Sequence, residues 1–246
     1  MSKEDSLPAP FPSEGAGLRY LRQTGNIPYA EPVKDPLSLG IDELSGLLTL
    51  ANLYFKGFGY ASIAMNQFDP ATLRSFGVGE GLQRIVCMSG DLLDGFELGG
   101  SLLINPEVAP EGEDRDFSIE GCGSLVYGDG LGMIVSRPKN LRLTGFRWVP
   151  GMKKPEFIET NLSGQDSSFI HHEMVHLEGK DVTSHPQDLM DFTDPTNTCW
   201  EGNDQLCRRM RYEILKYSSR ANWLVLQGGR LSIIDTEGNF IEFFKK

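Results

Sequence analysis

Phe169-Ile170-His171-His172-Glu173-Met174-Val175-His176-Leu177-Glu178-Gly179 places two histidines, His172 and His176, four residues apart, with Glu173 directly after the first. On an α-helix, positions i and i+4 share one face, one turn apart. Two imidazoles so placed can grip one metal ion, and Glu173 can reach a metal-bound water from the side. Three of the chain's 4 histidines fall in this stretch, and the last, His185, follows it closely. The pattern H-E-x-x-H fixes few positions and also occurs on solvated helices. Its surroundings argue for burial, because Phe169, Ile170, Met174, Val175 and Leu177 crowd the same segment. Buried histidines and a buried glutamate need polar partners, which a metal would supply. Gly179 is expected to end the helix, and Asp166 or Ser163 to cap its start.

Upstream, Ile41–Lys56 carries Ile41, Leu44, Leu48, Ala51 and Phe55 at helical spacing, broken by Gly57 and Gly59. Short strands are expected at Gln83–Met88, Ser101–Asn105, Phe117–Cys122, Gly132–Ser136, Asn140–Trp148 and Phe157–Leu162, with a long acidic loop at Pro110–Asp116. Downstream, Asn203–Arg220 reads as a helix, and Asn222–Gln227 and Arg230–Asp235 as a hairpin about a Gly-Gly turn, with Asn239–Phe244 as a further strand. Helices and strands do not alternate, so the class is α+β. Antiparallel or mixed β-sheets are expected around a central H-E-x-x-H helix, with an added C-terminal helix and β-hairpin. Residues 1–40 form a Pro-rich extended arm, 41–180 the core, and 181–246 an extension packed on it.

Net charge is −11, which argues against direct nucleic-acid binding. No apolar run reaches the roughly 18 residues of a membrane span. The N-terminus lacks the features of a secretory or transit peptide, so a cytoplasmic location is expected. The 4 cysteines of so long a chain do not suggest a disulfide framework. Cys87 lies in an apolar run and is expected inside a strand; Cys199 and Cys207 receive no role. Cys122 stays open between a third ligand, which a catalytic metal site needs beside an open position, and the buried small hydrophobe that a lone cysteine more often is.

Glu120-Gly121-Cys122-Gly123-Ser124, followed by H-E-x-x-H-L-x-G, resembles the peptide deformylase family, as a divergent member. The family's first motif, G-x-G-[LI]-A-A-x-Q, corresponds to Tyr60–Gln67, and Leu103–Pro106 and Ile134–Pro138 resemble further family stretches. The resemblance covers roughly Ile41 to Lys180. It implies Cys122, His172 and His176 as metal ligands, Glu173 as general acid and base, and Gln67 with the Gly123 N–H as oxyanion donors. Glu120 matches a structural carboxylate. The ion implied is one divalent metal, Fe²⁺ in the cell, with Zn²⁺, Ni²⁺ or Co²⁺ able to take its place. The activity implied is hydrolysis of the formyl group from N-formylmethionyl peptides or nascent chains, by a monomer or homodimer.

The chain departs from that pattern where Tyr60 and Ser62 replace glycines and Gly123 replaces a leucine. Val175 replaces an aspartate, and Phe169 lies one turn before the first ligand. Two other readings stay open: a noncatalytic peptide- or partner-binding module, and an H-E-x-x-H metallopeptidase with Glu201 as third ligand.

Overall fold

The computed structural model describes residues 27–58, 60–79, 83–90, 98–122, 132–180, 223–227, 230–234 and 240–245. The class is α+β. Helix α1 (Ile41–Phe58) is followed by β1 (Ser62–Ala64), a 3-10 turn at Met65–Gln67, α2 (Pro70–Ser75), β2 (Ile85–Met88), β3 (Leu102–Pro110) and β4 (Arg115–Gly121). Then come β5 (Gly132–Pro138), β6 (Asn140–Trp148), β7 (Glu156–Ser163), α3 (Gln165–Leu177), β8 (Trp223–Gln227), β9 (Arg230–Ile234) and β10 (Phe240–Lys245). One sheet has the order β1-β2-β3-β6-β7 and is antiparallel throughout; the other runs β10-β9-β8-β5-β4.

The first sheet is covered on both faces, and its residues alternate between two clusters as a period of two requires. Ile63, Ile85, Cys87, Leu102 and Ile104 pack against Leu44, Leu47, Leu48, Ala51, Tyr54 and Phe55 of α1. Ala64, Val86, Met88, Leu103 and Leu141 pack on the other side with Ile170 and Leu177 of α3. Burying each such aliphatic side chain contributes roughly 1.5–3 kcal/mol. Helix α3 touches β1, β3 and β7 of this sheet and β5 of the second. It therefore has neighbours on several sides, as the crowding of apolar residues in its sequence required.

Local details differ from expectation in three places. Ile41 is 43 % exposed, so the buried stripe of α1 begins at Leu44. The acidic loop shrinks to Glu111–Asp114, because β3 keeps pairing with β6 as far as Pro110 opposite Leu141. Prolines fit there since β3 pairs with β2 only from Leu102 to Ile104, and a strand side without a ladder needs no N–H. Neither Asp166 nor Ser163 caps α3; its N-cap is Gly164, without a side-chain bond. The other end follows expectation. Gly179 takes φ +71, its N–H donates to His176 O, and the Lys180 N–H donates to Val175 O, a Schellman closure.

Part of the expected arm lies against the core. Ala30 N–H donates to Leu177 O at 2.9 Å. Asn105, at φ 50 in a bulge of β3, uses its side chain to bond both N and O of Val33 at 2.8 Å; asparagine tolerates that left-handed conformation. The C-terminal strands join the second sheet through a parallel pairing of β8 with β5, and β9 and β10 follow antiparallel. The expected helix at Asn203–Arg220 lies outside the described residues.

Candidate metal centre

Helix α3 presents His172 and His176 on one face, and the residue following β4 is Cys122. The structure brings the three together although Cys122 is 54 positions from His176: Cys122 Sγ lies 3.3 Å from His176 Nε2. His172 Nε2 lies 3.1 Å from His176 Nε2. All three ligand atoms fall within 4.8 Å of one another, and all three residues are buried.

The outer ring nitrogens explain why these inner atoms are available. His176 Nδ1 sits 3.0 Å from the Lys180 carbonyl, which can only accept, so Nδ1 carries the proton and Nε2 a lone pair. His172 Nδ1 is 2.6 Å from Oε2 of Glu120. Glu120 is itself clasped by Arg137, with Nε to Oε1 at 3.0 Å and Nη2 to Oε2 at 2.8 Å. Burial alone would raise the Glu120 pKa, but Arg137 and His172 hold it well below the usual carboxylate range. An ionised Glu120 takes the Nδ1 proton of His172 as a hydrogen bond and turns that Nε2 lone pair inward too. Two lone pairs and a sulfur then converge, an arrangement that calls for a cation between them.

The same demand appears in the titration of the cluster. Burial works against a charged His172, yet its contacts with Cys122 and Glu120 raise it to about 10, so a proton holds its inner Nε2 until a metal ion displaces it and takes up that lone pair. Burial, then the His172 charge, push His176 well below its ordinary value. One positive charge is therefore favoured at the centre and two are not. Two nitrogens with a thiolate suit zinc, Fe²⁺ or a related ion.

Glu173 lies beside this cluster, 3 % exposed. Its Oε1 accepts from Ser62 Oγ at 2.7 Å, and its Oε2 is buried with no hydrogen-bond partner. Burial raises its pKa against the opposing His172 charge and the Ser62 bond. Gln67 is buried in the 3-10 turn, which packs on α3. Its Oε1 accepts the Ala64 N–H at 2.9 Å, so the carbonyl end of the amide is committed, and its NH₂ end can only donate. Gly123 and Glu201 lie outside the described residues.

Two of the departures prove to be packed side chains. Tyr60 stacks on Tyr54 of α1, with ring centroids 5.4 Å apart and planes 17° apart. Phe169 packs against the cluster that contains Ala64, Ile170 and Leu177. Two contributors escaped sequence reading. Ser62 counted only as a lost glycine, although strand alternation puts it on the Ala64 face, toward α3. Arg137 belonged to a matched stretch but received no role.

A family model for polypeptide deformylase matches residues 66–191. Among solved structures, a class I type b peptide deformylase from Acinetobacter baumannii is similar at 18% identity and a TM-score of 0.52, over 67% of this chain and 97% of that one. A probable peptide deformylase from Synechococcus phage S-SSM7 is similar at 19% identity and a TM-score of 0.51, over 67% and 97%. No match is found among curated proteins. At these identities the structural likeness speaks for the fold.

Proposed function

Since this chain belongs to the polypeptide deformylase family, we propose that it removes the formyl group from N-formylmethionyl peptides or nascent chains, releasing formate. The observation that carries this reading is the convergence of Cys122, His172 and His176 beside Glu173, whose buried Oε2 has no partner. In this proposal those three residues hold one divalent ion. When bound, it supplies a Lewis acid that acidifies water and polarises the formyl oxygen.

The chain's own residues do the rest. Glu173 Oε2 takes a proton as water adds to the formyl carbon, and a carboxylate whose pKa burial has raised is suited to hold it. The amide N–H of Gln67 stabilises the negative oxygen that forms on that carbon; one such donor is typically worth about 10²–10³ in rate. The proton then passes from Glu173 Oε2 to the leaving nitrogen as the carbon–nitrogen bond breaks. Products are formate and a peptide with a free amino terminus. Glu120 and Arg137 do not touch the reactants and hold His172 in its ligating tautomer. The roles of Gln67 and Gly123 as oxyanion donors, and a cytoplasmic location, belong to the same proposal. Among the described residues no helix is long and apolar enough to cross a membrane.

The test is formate release from a formyl-methionyl peptide by metal-loaded protein. Activity is expected in the wild type, with loss in Glu173→Ala and metal content retained. Cys122→Ala is expected to lose the metal; full metal content in that variant would favour the metallopeptidase reading. No turnover by folded, metal-loaded wild type would favour a binding module.

A further inference from the structure

We infer that Ser62 is a positioning residue for Glu173, fixing one carboxylate oxygen so that the other alone faces the reacting centre; this rests on the deformylase reading above. Ser62 sits on β1, whose backbone is held by antiparallel pairing of Ser62 with Met88 and Ala64 with Val86. Ala64, on the same face, packs in the cluster that includes Ile170 and Leu177 of α3. That face is therefore locked against the helix, and Ser62 has little freedom to drift. Its hydroxyl carries one proton, and that proton goes to Glu173 Oε1 at 2.7 Å.

The consequence follows from carboxylate geometry. The terminal torsion of a glutamate is broad and two-fold, so an untethered carboxylate exchanges its two oxygens and samples many orientations. Here Oε1 is tied, while Oε2 is buried with no partner. The lone pair that must accept a proton thus has one address. The bond also adds to the compensation that the neighbouring His172 and the Ala64 N–H give this buried carboxylate. A glycine at position 62 could do neither. The departure from the family pattern at this position thereby gives the base a tether.

Two measurements test this. In the metal-loaded chain, Ser62→Ala is expected to lower kcat for formate release about 10-fold, the lower end of the range for supporting hydrogen bonds around metal sites, with KM unchanged and full metal content. In the metal-free chain, urea unfolding of wild type, Ser62→Ala, Glu173→Ala and the double variant forms a cycle. Ser62→Ala is expected to lower the midpoint when Glu173 is present and to leave it unchanged in Glu173→Ala. An unaltered kcat, or equal midpoint losses in the two backgrounds, overturns the inference. A wild type that releases no formate overturns the deformylase reading instead, and the unfolding cycle still decides whether Ser62 and Glu173 are coupled.

Discussion

Nδ1 of His172 lies 2.6 Å from Oε2 of Glu120, so a residue just before Cys122 sets the tautomer of a residue 52 positions later. Replacing Glu120 by Gln keeps the shape and removes the charge. The amide can then offer its NH₂ to the ring and favour the wrong tautomer. Metal affinity is expected to fall about 10–100-fold, measured by competition with a chelator of known affinity, while the far-ultraviolet circular dichroism stays as in wild type.

Arg137 is 1 % exposed and its guanidinium holds Glu120 ionised inside the protein. Removing it leaves a buried carboxylate with His172 but without the guanidinium that pairs both its oxygens, so Arg137→Met is expected to cost about 3–5 kcal/mol in urea unfolding. The sign of the acid dependence follows. The folded pKa of Glu120 is depressed below its unfolded value. Its stabilisation is therefore fully present above the ordinary glutamate range near about pH 4.3 and declines as pH falls below that range. The midpoint of metal-free wild type is expected to drop through that window more steeply than that of Glu120→Gln.

Gly46 lies mid-helix in α1, where a Cβ would overlap the carbonyl oxygen of Phe76. Helix propensity alone would make Gly46→Ala stabilising by nearly 1 kcal/mol. Close contact reverses the sign, and a loss of about 1–3 kcal/mol is expected. A gain in thermal midpoint would show that the turn after α2 can yield.

Cys87 is fully buried in β2, and burial, with the Glu173 charge nearby, pushes its thiol well above the ordinary range. Thiolate is the reactive form. Iodoacetamide is therefore expected to leave Cys87 unmodified in native protein and to label it after denaturation, as read by peptide mass spectrometry. Rapid native labelling would place the residue in a more open setting.

Much of this was legible in sequence because it depends on local spacing. His172 and His176 share a helical face by the pitch of an α-helix alone, and Gly179 stops that helix through its left-handed conformation. The strand over Asn140–Trp148 followed from alternation, and it occurs over those residues. The cap at Gly164 was not legible, because a glycine N-cap offers no side chain to recognise. Nor was the length of β3: Pro106 and Pro110 look like breakers until it is known which side of the strand carries a partner.

The sequence by itself determined the α+β class, the two imidazoles with Glu173, and through its motifs the family. These rest on periodicity and on residue order, which survive without coordinates. Only the tertiary structure decided how the centre is wired. Antiparallel pairing of β4 with β5 puts Glu120 and Arg137 on strands of one sheet, and packing of β1 on α3 sets Ser62 against Glu173. Tyr60 turned to Tyr54 for the same kind of reason. Hydrogen bonds and ring contacts between residues far apart in sequence depend on register and side-chain direction, and a linear reading carries neither.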